Sequence, residues 1–421
     1  MDKRLVILDL FSGAGGLSEG FFRTGATFVG HVEADKHACD TLRTRTAYWN
    51  LKKSNQLDIY YNYLLKNITR DELWEQSNVK NSNDVINTFI GDDSFDTITK
   101  TVKNTLKKKK LKQIDLIIGG PPCQAYSVVG RARMKEAVTC DPRNFLYKYY
   151  VRFLETFKPK MFIFENVPGI LSAANGKHFQ DIKDAVKDAG YHMELKELTA
   201  SDYGVLQERK RIIIVGWRKN TKQKNYTYPE FEKIINSYLV KDLLEDLPET
   251  KPDRMIEGKG LYRAEANQYL IDSNIRETGF DILTQHETRM HNERDLKIYK
   301  EAIDIWDKEK KRLCYKELST RRPELITHKN THSFTNRFNV IKADMPASHT
   351  ILAHMAMDGH YYIHPDIKQL RSLSVREAAR LQSFPDNFYF EGPRTAQFRQ
   401  IGNAVPPKMA EQIAKKIKEI I

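Results

Sequence analysis

The sequence is nearly devoid of cysteine: Cys39, Cys123, Cys140 and Cys314 are the four in 421 residues. They form no Cys-x-x-Cys pair and no disulfide-like spacing, which excludes a disulfide scaffold and points to a reducing compartment. Long apolar runs are also missing. The N-terminal stretch Leu5-Val6-Ile7-Leu8 is broken by Asp9 and ends at Gly13, too short for a signal-peptide core or a bilayer span. There is no internal repeat and no low-complexity segment. His328-x-x-x-His332 has zinc-like spacing, but no cysteine pair accompanies it, so no metal site is expected. Acid is in deficit: 55 acidic against 68 basic side chains leave a formal charge of +13. That balance fits a polyanionic partner or a lysine-rich solvated surface. The sharpest basic run, Lys107 to Lys110 with Lys112, directly precedes a predicted strand and reads as a solvated helix end.

What is present begins with alternation. Apolar runs predict strands at Arg4–Leu10, Thr27–Val32, Ile114–Ile118, Met161–Phe164 and Arg211–Val215, with helical stretches between the earlier ones. An α/β fold with a doubly wound, mostly parallel sheet is the natural architecture, and its ligands bind outside the carboxyl ends of the strands. Residues 51–110 read as an insertion of helical period. Residues 217 to 370 lack the alternation and suggest a second, smaller domain, with the Asp358-Gly359 turn before Tyr361-Tyr362-Ile363 predicting a hairpin at its end.

Motifs fall at the predicted strand ends. Phe11-Ser12-Gly13-Ala14-Gly15-Gly16 is a glycine-rich turn opening a helix over Leu17–Arg23, and it departs from the Gly-x-Gly-x-x-Gly dinucleotide pattern. Glu33, at the end of the second strand, stands where ribose hydroxyls would sit, so the pair suits an adenosine-containing cofactor, while a plain turn is the alternative. Gly119-Gly120-Pro121-Pro122-Cys123-Gln124 places a cysteine just beyond a strand; it is either a nucleophile or a small hydrophobe in an ordinary turn. Glu165 closes a strongly apolar strand, so partial desolvation should raise its pKa and let it deliver a proton; a strand-end cap is the alternative. In an extended stretch Gln207, Arg209 and Arg211 share one face, aiming two guanidinium groups at an oxyanion or phosphate, unless they form a solvated edge.

Taken together these residues resemble the DNA cytosine-carbon-5 methyltransferase family, in its bacterial or phage modification form. The resemblance rests on Asp9–Gly16, Gly119–Gln124, Glu165-Asn166-Val167, Gln207-x-Arg209-x-Arg211, the stretch Arg371 to Gln382 with Arg376, Glu377 and Arg380, and Gln400-Ile401-Gly402-Asn403-Ala404-Val405. The motifs occur in the family's order, without circular permutation. It implies a Rossmann-like S-adenosylmethionine-dependent fold, with residues 1–217 completed by 371–421 as catalytic domain and 218–370 as a target-recognition domain. It implies Cys123, Glu165, Arg209 and Arg211 as catalytic residues. Phe11, Gly13, Gly15, Glu33, Pro121, Asn403 and Val405 would hold S-adenosylmethionine, with Asp92 or Asp93 on the adenine amine.

The chemistry asks for these residue types. Carbon 5 of cytosine is a poor nucleophile until a thiolate adds at carbon 6 and turns the ring into an enamine. Glu165 on ring nitrogen 3 and the exocyclic amine would offset the charge that builds there, and Arg211 would contact oxygen 2. The target carbon is inside the stacked duplex, so the base must be flipped out. Ser127, Arg131, Arg133 and Arg143 lie on the basic stretch after Cys123 that resembles the family's active-site loop, expected to close on DNA phosphates. Arg289, Arg294, Arg321, Arg322 and Arg337 could read base edges or phosphates. The expected partner is double-stranded DNA, with no membrane, with a separate cognate restriction endonuclease, and with the enzyme a cytoplasmic monomer. A transfer-RNA methyltransferase of the same fold and a catalytically silent DNA-binding module are the alternatives. Ser374-x-x-Glu377 is a capping box, and Pro407 suits a helix start, so the C-terminal motifs also read as structural.

Overall fold

A computed structural model describes residues 4–122, 145–219, 227–235, 237–326 and 335–421. Seven strands form the main sheet: β1 (Val6–Leu10), β2 (Thr27–Glu33), β3 (Val85–Asn87), β4 (Leu116–Gly119), β5 (Met161–Asn166), β6 (Tyr191–Thr199) and, after the two-residue β7 (Gln207–Glu208), β8 (Lys210–Arg218). Their order is β3-β2-β1-β4-β5-β8-β6. The first five are mutually parallel, and β8 runs antiparallel to both β5 and β6. The sheet is therefore mostly parallel, and the strand expected at Arg211–Val215 is the one that reverses.

Strict alternation builds two cores. Val6, Leu8, Leu10, Ile117, Phe162, Phe164, Ile212 and Ile214 face the helices Asp92–Lys108, Leu146–Phe157 and Lys177–Asp188. Ile7, Leu116, Ile118, Met161, Ile163, Ile213 and Val215 face the helices Gly16–Arg23 and Pro407–Ile420. Strands buried on both faces read as unbroken apolar runs, which is why the sequence announces them so clearly. The C-terminal helix thus completes the N-terminal sheet. Gly20 permits the contact, since a Cβ there would lie 2.3 Å from the Ala410 carbonyl carbon.

The stretch 51–110 is not simply an insertion. Its second half supplies β3 and the helix Asp92–Lys108, whose Phe95, Ile98, Val102 and Leu106 are core. Only the helices Leu57–Leu64 and Arg70–Gln76 stand outside the sheet; their Tyr60, Tyr63, Leu64 and Leu73 pack with Phe280 and Ile282. The segment after Trp217 contains the paired strands Met255–Lys259 and Ile282–Glu287 and a 17-residue helix, Glu293–Glu309, whose Ile298, Tyr299, Ala302, Ile303 and Trp306 are buried. The hairpin expected at Asp358-Gly359 does not form. Ile363 instead bridges Val340 in parallel and Ser372 in antiparallel, so the fold-back lies after Ile363 and not at Asp358-Gly359.

Candidate active site

The strand register aligns the predicted motifs on one edge. Leu10 pairs with Gly119, and Gly119 with Phe164, so the turns after β1, β4 and β5 leave the sheet side by side. Cys123, Ser127, Arg131, Arg133 and Arg143 lie outside the described residues, as do His328 and His332. The stem of the cysteine loop is described, and Asn166 fixes it: its Nδ2 donates to the Pro121 carbonyl at 3.1 Å. Gly120 lies so close to the end of β5 that a Cβ would come within 2.6 Å of Glu165 Oε2 and 2.9 Å of the Glu165 carbonyl oxygen. The glycine lets the cysteine loop and the carboxylate share one spot.

Glu165 is mostly shielded, and its partner is Arg211, whose Nε lies 2.6 Å from Glu165 Oε1. Burial works to lower the pKa of Arg211, and the adjacent carboxylate opposes it. The pair joins the carboxyl end of β5 to the start of β8, which the antiparallel pairing of Asn166 with Ile212 makes possible. Arg211 Nη1 donates to the Lys210 carbonyl at 2.8 Å.

Arg209 does not share this face. It is fully buried, and its two terminal nitrogens donate to the Ile351 carbonyl at 2.7 Å and the Gly402 carbonyl at 2.8 Å. Gln207 is equally buried, donating to the Leu381 carbonyl and accepting from the Ile351 amide. The expected alternation fails because the chain kinks there: the Arg209 amide donates to the Gln207 carbonyl at 3.0 Å before β8 begins. Three residues expected to line one face instead divide between the carboxylate and a structural knot.

The cofactor candidates cluster around the ends of β1, β2 and β3. Phe11, Gly13 and Gly15 all have positive φ, 56°, 53° and 83°, and Gly15 caps the helix Gly16–Arg23. A left-handed phenylalanine is an outlier held by its surroundings. The Glu33 carboxylate accepts from the Gly13 amide at 2.8 Å and from the Ala34 and Asp35 amides at 2.9 Å. Burial raises its pKa, and those amides pull the other way. Asp92 and Asp93 both sit exposed in the first turn of the helix that follows β3; Asp92 pairs with Arg152 at 2.9 Å. Asn403 is exposed at the end of the helix Arg394–Asn403, and Val405 is buried against the glycine turn, its carbonyl 2.3 Å from where a Gly16 Cβ would be. Asp9, beneath the turn, receives Ser18 Oγ and lies 3.2 Å from His31 Nδ1.

Glu19, Arg45 and Trp49 carry no motif in the sequence, yet they brace the helix that opens from the glycine turn. Glu19 receives a two-point contact from Arg45, at 2.8 and 2.6 Å, and one from Trp49 at 3.1 Å. Burial would raise its pKa, but Arg45 overrides this and holds it at about 2. The helix Val375–Leu381 starts with the expected capping box of Ser374 and Glu377. Arg371 grips Glu377 through two contacts of 2.7 Å, while Arg376 donates to carbonyls of Thr284, Pro385 and Phe388. Arg380 binds Asp246 and Asp386. These arginines are fully buried ties between the C-terminal motif and the segment before it.

Of the arginines considered for base reading, Arg321 pairs with Glu301 at 2.8 Å, and Arg337 lies 3.7 Å from Asp358 over the Tyr315 and Phe338 rings. Arg289 donates to the Met355 carbonyl. The Cys39 thiol is buried, which raises its pKa to about 12, a poor setting for a nucleophile. Among the described residues no group of His, Cys, Asp and Glu could hold a metal ion, and no helix is long and apolar enough to cross a membrane.

Comparison with known proteins places the chain in a family. The family model for C-5 cytosine-specific DNA methylases matches residues 5–71 and 65–419. The type II methyltransferase M.Bpa9945I of Bacillus paralicheniformis is 42% identical over 451 residues, covering 99% of both chains. The type II methyltransferase M.AgeI of Thalassovita gelatinovora is 30% identical over 476 residues, covering 98% of this chain and 99% of that one. In fold, the chain is similar to a prophage-encoded protein of E. coli assigned to the DNA modification methyltransferases, with a TM-score of 0.65 at 24% identity and 99% coverage of both.

Proposed function

The chain belongs to the C-5 cytosine-specific DNA methylase family, and from that premise we propose how its own residues methylate carbon 5 of cytosine in DNA. The observation that carries the reading is the Glu165–Arg211 pair at 2.6 Å, set against Gly120 at the root of the Cys123 loop. Cys123 adds through its thiolate to carbon 6 of a flipped-out cytosine, forming a carbon–sulfur bond and an electron-rich carbon 5. Glu165 hydrogen-bonds ring nitrogen 3 and the exocyclic amine, and Arg211 both orients that carboxylate and reaches oxygen 2. Once carbon 5 carries the methyl group, a base removes its proton, the electron pair restores the ring double bond, and Cys123 leaves. Positioned proton transfer of this kind contributes about 10²–10⁴-fold.

S-adenosylmethionine fits the cluster at the ends of β1 to β3, where it would supply the methyl group. Supporting this are the open space around Gly13, where an added Cβ meets nothing within 4 Å, the left-handed turn from Phe11 to Gly15, and the exposed carboxylates and amide of Asp92, Asp93 and Asn403. Glu33 orders the turn through the Gly13 amide. Val405 borders the turn from the C-terminal motif, and Pro121 lies on the stem of the cysteine loop, held by Asn166.

Residues 1–217 with 371–421 form the catalytic domain in this reading, and 218–370 the target-recognition domain. The loop bearing Ser127, Arg131, Arg133 and Arg143 closes on DNA, and Arg321 and Arg337 contact it after exchanging their acidic partners for phosphates. The enzyme acts as a cytoplasmic monomer beside a separate cognate endonuclease. Base-resolution bisulfite sequencing of DNA from a methylation-free bacterium expressing the chain tests the assignment. Methylated cytosines confined to one short motif, and lost with Cys123→Ser, are expected; unmethylated DNA despite folded protein would redirect the search to RNA.

A further inference from the structure

The run Lys107 to Lys112 acquires a setting in three dimensions that it lacks in the sequence. It leads into the amino end of β4, at the edge of the sheet opposite Gly119 and Glu165. Other cationic segments converge on the same edge. The Asp115 amide donates to the Val6 carbonyl, Lys160 to Asp115, Arg218 to Lys160 and Lys219 to Gly190, so the starts of β1, β4, β5 and β6 and the end of β8 form one rim. Arg4 precedes β1, Lys158 precedes β5, and Lys187 ends the helix before β6. Arg218 donates to the Lys158 carbonyl and Lys219 to the Lys187 carbonyl, tying neighbouring segments together. Lys418 of the C-terminal helix reaches the Thr24 carbonyl just before β2.

The charge on this rim is not neutralised. Its two buried acids are already taken, Asp84 by Lys109 at 2.6 Å and Asp115 by Lys160 at 2.8 Å. Lys107, Lys108, Lys110, Lys112, Lys158 and Lys187 are exposed and make no ion pair with a described residue. Exposed Glu155 and Asp188 only partly offset them. From β2 to β6 the rim crosses six strands, roughly 24 Å at ~4.8 Å per strand. Duplex DNA presents a phosphate charge every ~1.7 Å, so this width faces many of them. The rim is separated from Glu165 by the length of β5, about 20 Å at ~3.3 Å per residue, so a duplex held at the catalytic edge does not cover it.

We propose that this amino-terminal rim is a second, sequence-independent binding surface for the backbone of duplex DNA, allowing one enzyme molecule to hold a flanking segment while another occupies the catalytic edge. It rests on the reading that places catalysis at the opposite edge. A solvating lysine face would carry the same composition without binding anything.

Bridging distinguishes the two. A bead-tethered 30-mer duplex is saturated with full-length protein and then challenged with a fluorescent duplex of unrelated sequence. The wild type should capture the second duplex, with capture falling at least about tenfold on raising the salt from 50 to 200 mM. The combined variant Lys107→Gln, Lys108→Gln, Lys110→Gln and Lys158→Gln should lose capture at least tenfold. It should keep its melting temperature, its binding to the tethered duplex, and methylation of cellular DNA. Undiminished capture by the variant, which self-association would give, overturns the proposal. So does absence of capture by the wild type, or equal displacement of the second duplex by polyglutamate of matched charge. Loss of methylation in wild type and variant alike would count against the catalytic assignment, leaving the bridging result to be read separately.

Discussion

The guanidinium of Arg209 donates at 2.8 Å to the carbonyl of Gly402, the residue before Asn403, while its other terminal nitrogen holds the Ile351 carbonyl at 2.7 Å. One buried side chain therefore ties the start of β8, the C-terminal motif and the segment that leads into residues 352–359. Burial, and then the charge of nearby Arg211, push the pKa of Arg209 down, with Glu165 acting against them. Removing the guanidinium would strand two buried carbonyls, at roughly 1–3 kcal/mol each. Arg209→Met should lower the melting temperature by several degrees, and Arg209→Lys, which can satisfy one carbonyl, by less. A melting temperature unchanged in both would refute the tie.

Gly120 is the other position where space decides the outcome. In Gly120→Ala the new methyl would meet Glu165 Oε2 at 2.6 Å, and a carboxylate pushed aside by about 1 Å to clear it loses its alignment with Arg211. Misplacement of about 1 Å can cost ~10²-fold in rate. Single-turnover methylation should slow by about that factor with duplex binding retained. Wild-type turnover in the alanine variant would show that the two segments are not held together as described.

Acid should destabilise the fold through its histidines. Burial lowers the pKa of His364 to about 3, with Arg371 adding to the effect, and that of His291 to about 3, with Arg289 adding; burial also brings His349 to about 4. The unfolded chain protonates these rings near pH 6.5, whereas the folded chain does not until far lower. Stability from their neutral burial is thus complete above about 6.5 and declines as pH falls toward the folded values, by about 1 kcal/mol per excluded proton one unit down. Thermal denaturation between pH 7.5 and 5 should show a falling midpoint, with a shallower fall in His364→Gln. A flat profile would contradict the burial of these rings.

The sequence is most informative where both faces of a strand are buried. β1, β2, β4, β5 and β8 stand out as apolar runs, but direction is not encoded in apolarity, so the reversal of β8 has no local signal. β3 is three residues long, too short for any periodicity, and its helix reads as part of an insertion because no motif marks it. The helix Glu293–Glu309 did carry a signal in its Asn292 cap and the spacing of Ile298, Ala302 and Ile303. Polar residues were harder. Arg209 and Arg211 look equivalent two positions apart, and only the backbone kink at Gln207 sends one into the interior and leaves the other on Glu165. Glu19 looks like a surface residue of an amphipathic helix until Arg45, 26 positions on, reaches it.

The proposed chemistry passes through a covalent intermediate on Cys123, which intact-protein mass spectrometry can trap and weigh. Once sequencing has given the methylated motif, a duplex carrying 5-fluorocytosine at the target position is incubated with enzyme and S-adenosylmethionine. Fluorine leaves no proton at carbon 5 for the base to remove, so the thiol cannot depart. A stable protein–DNA adduct that maps to the peptide containing Cys123, and is absent in Cys123→Ser, is expected. An adduct persisting in that variant, or none in a wild-type enzyme that methylates the normal duplex, would contradict that chemistry.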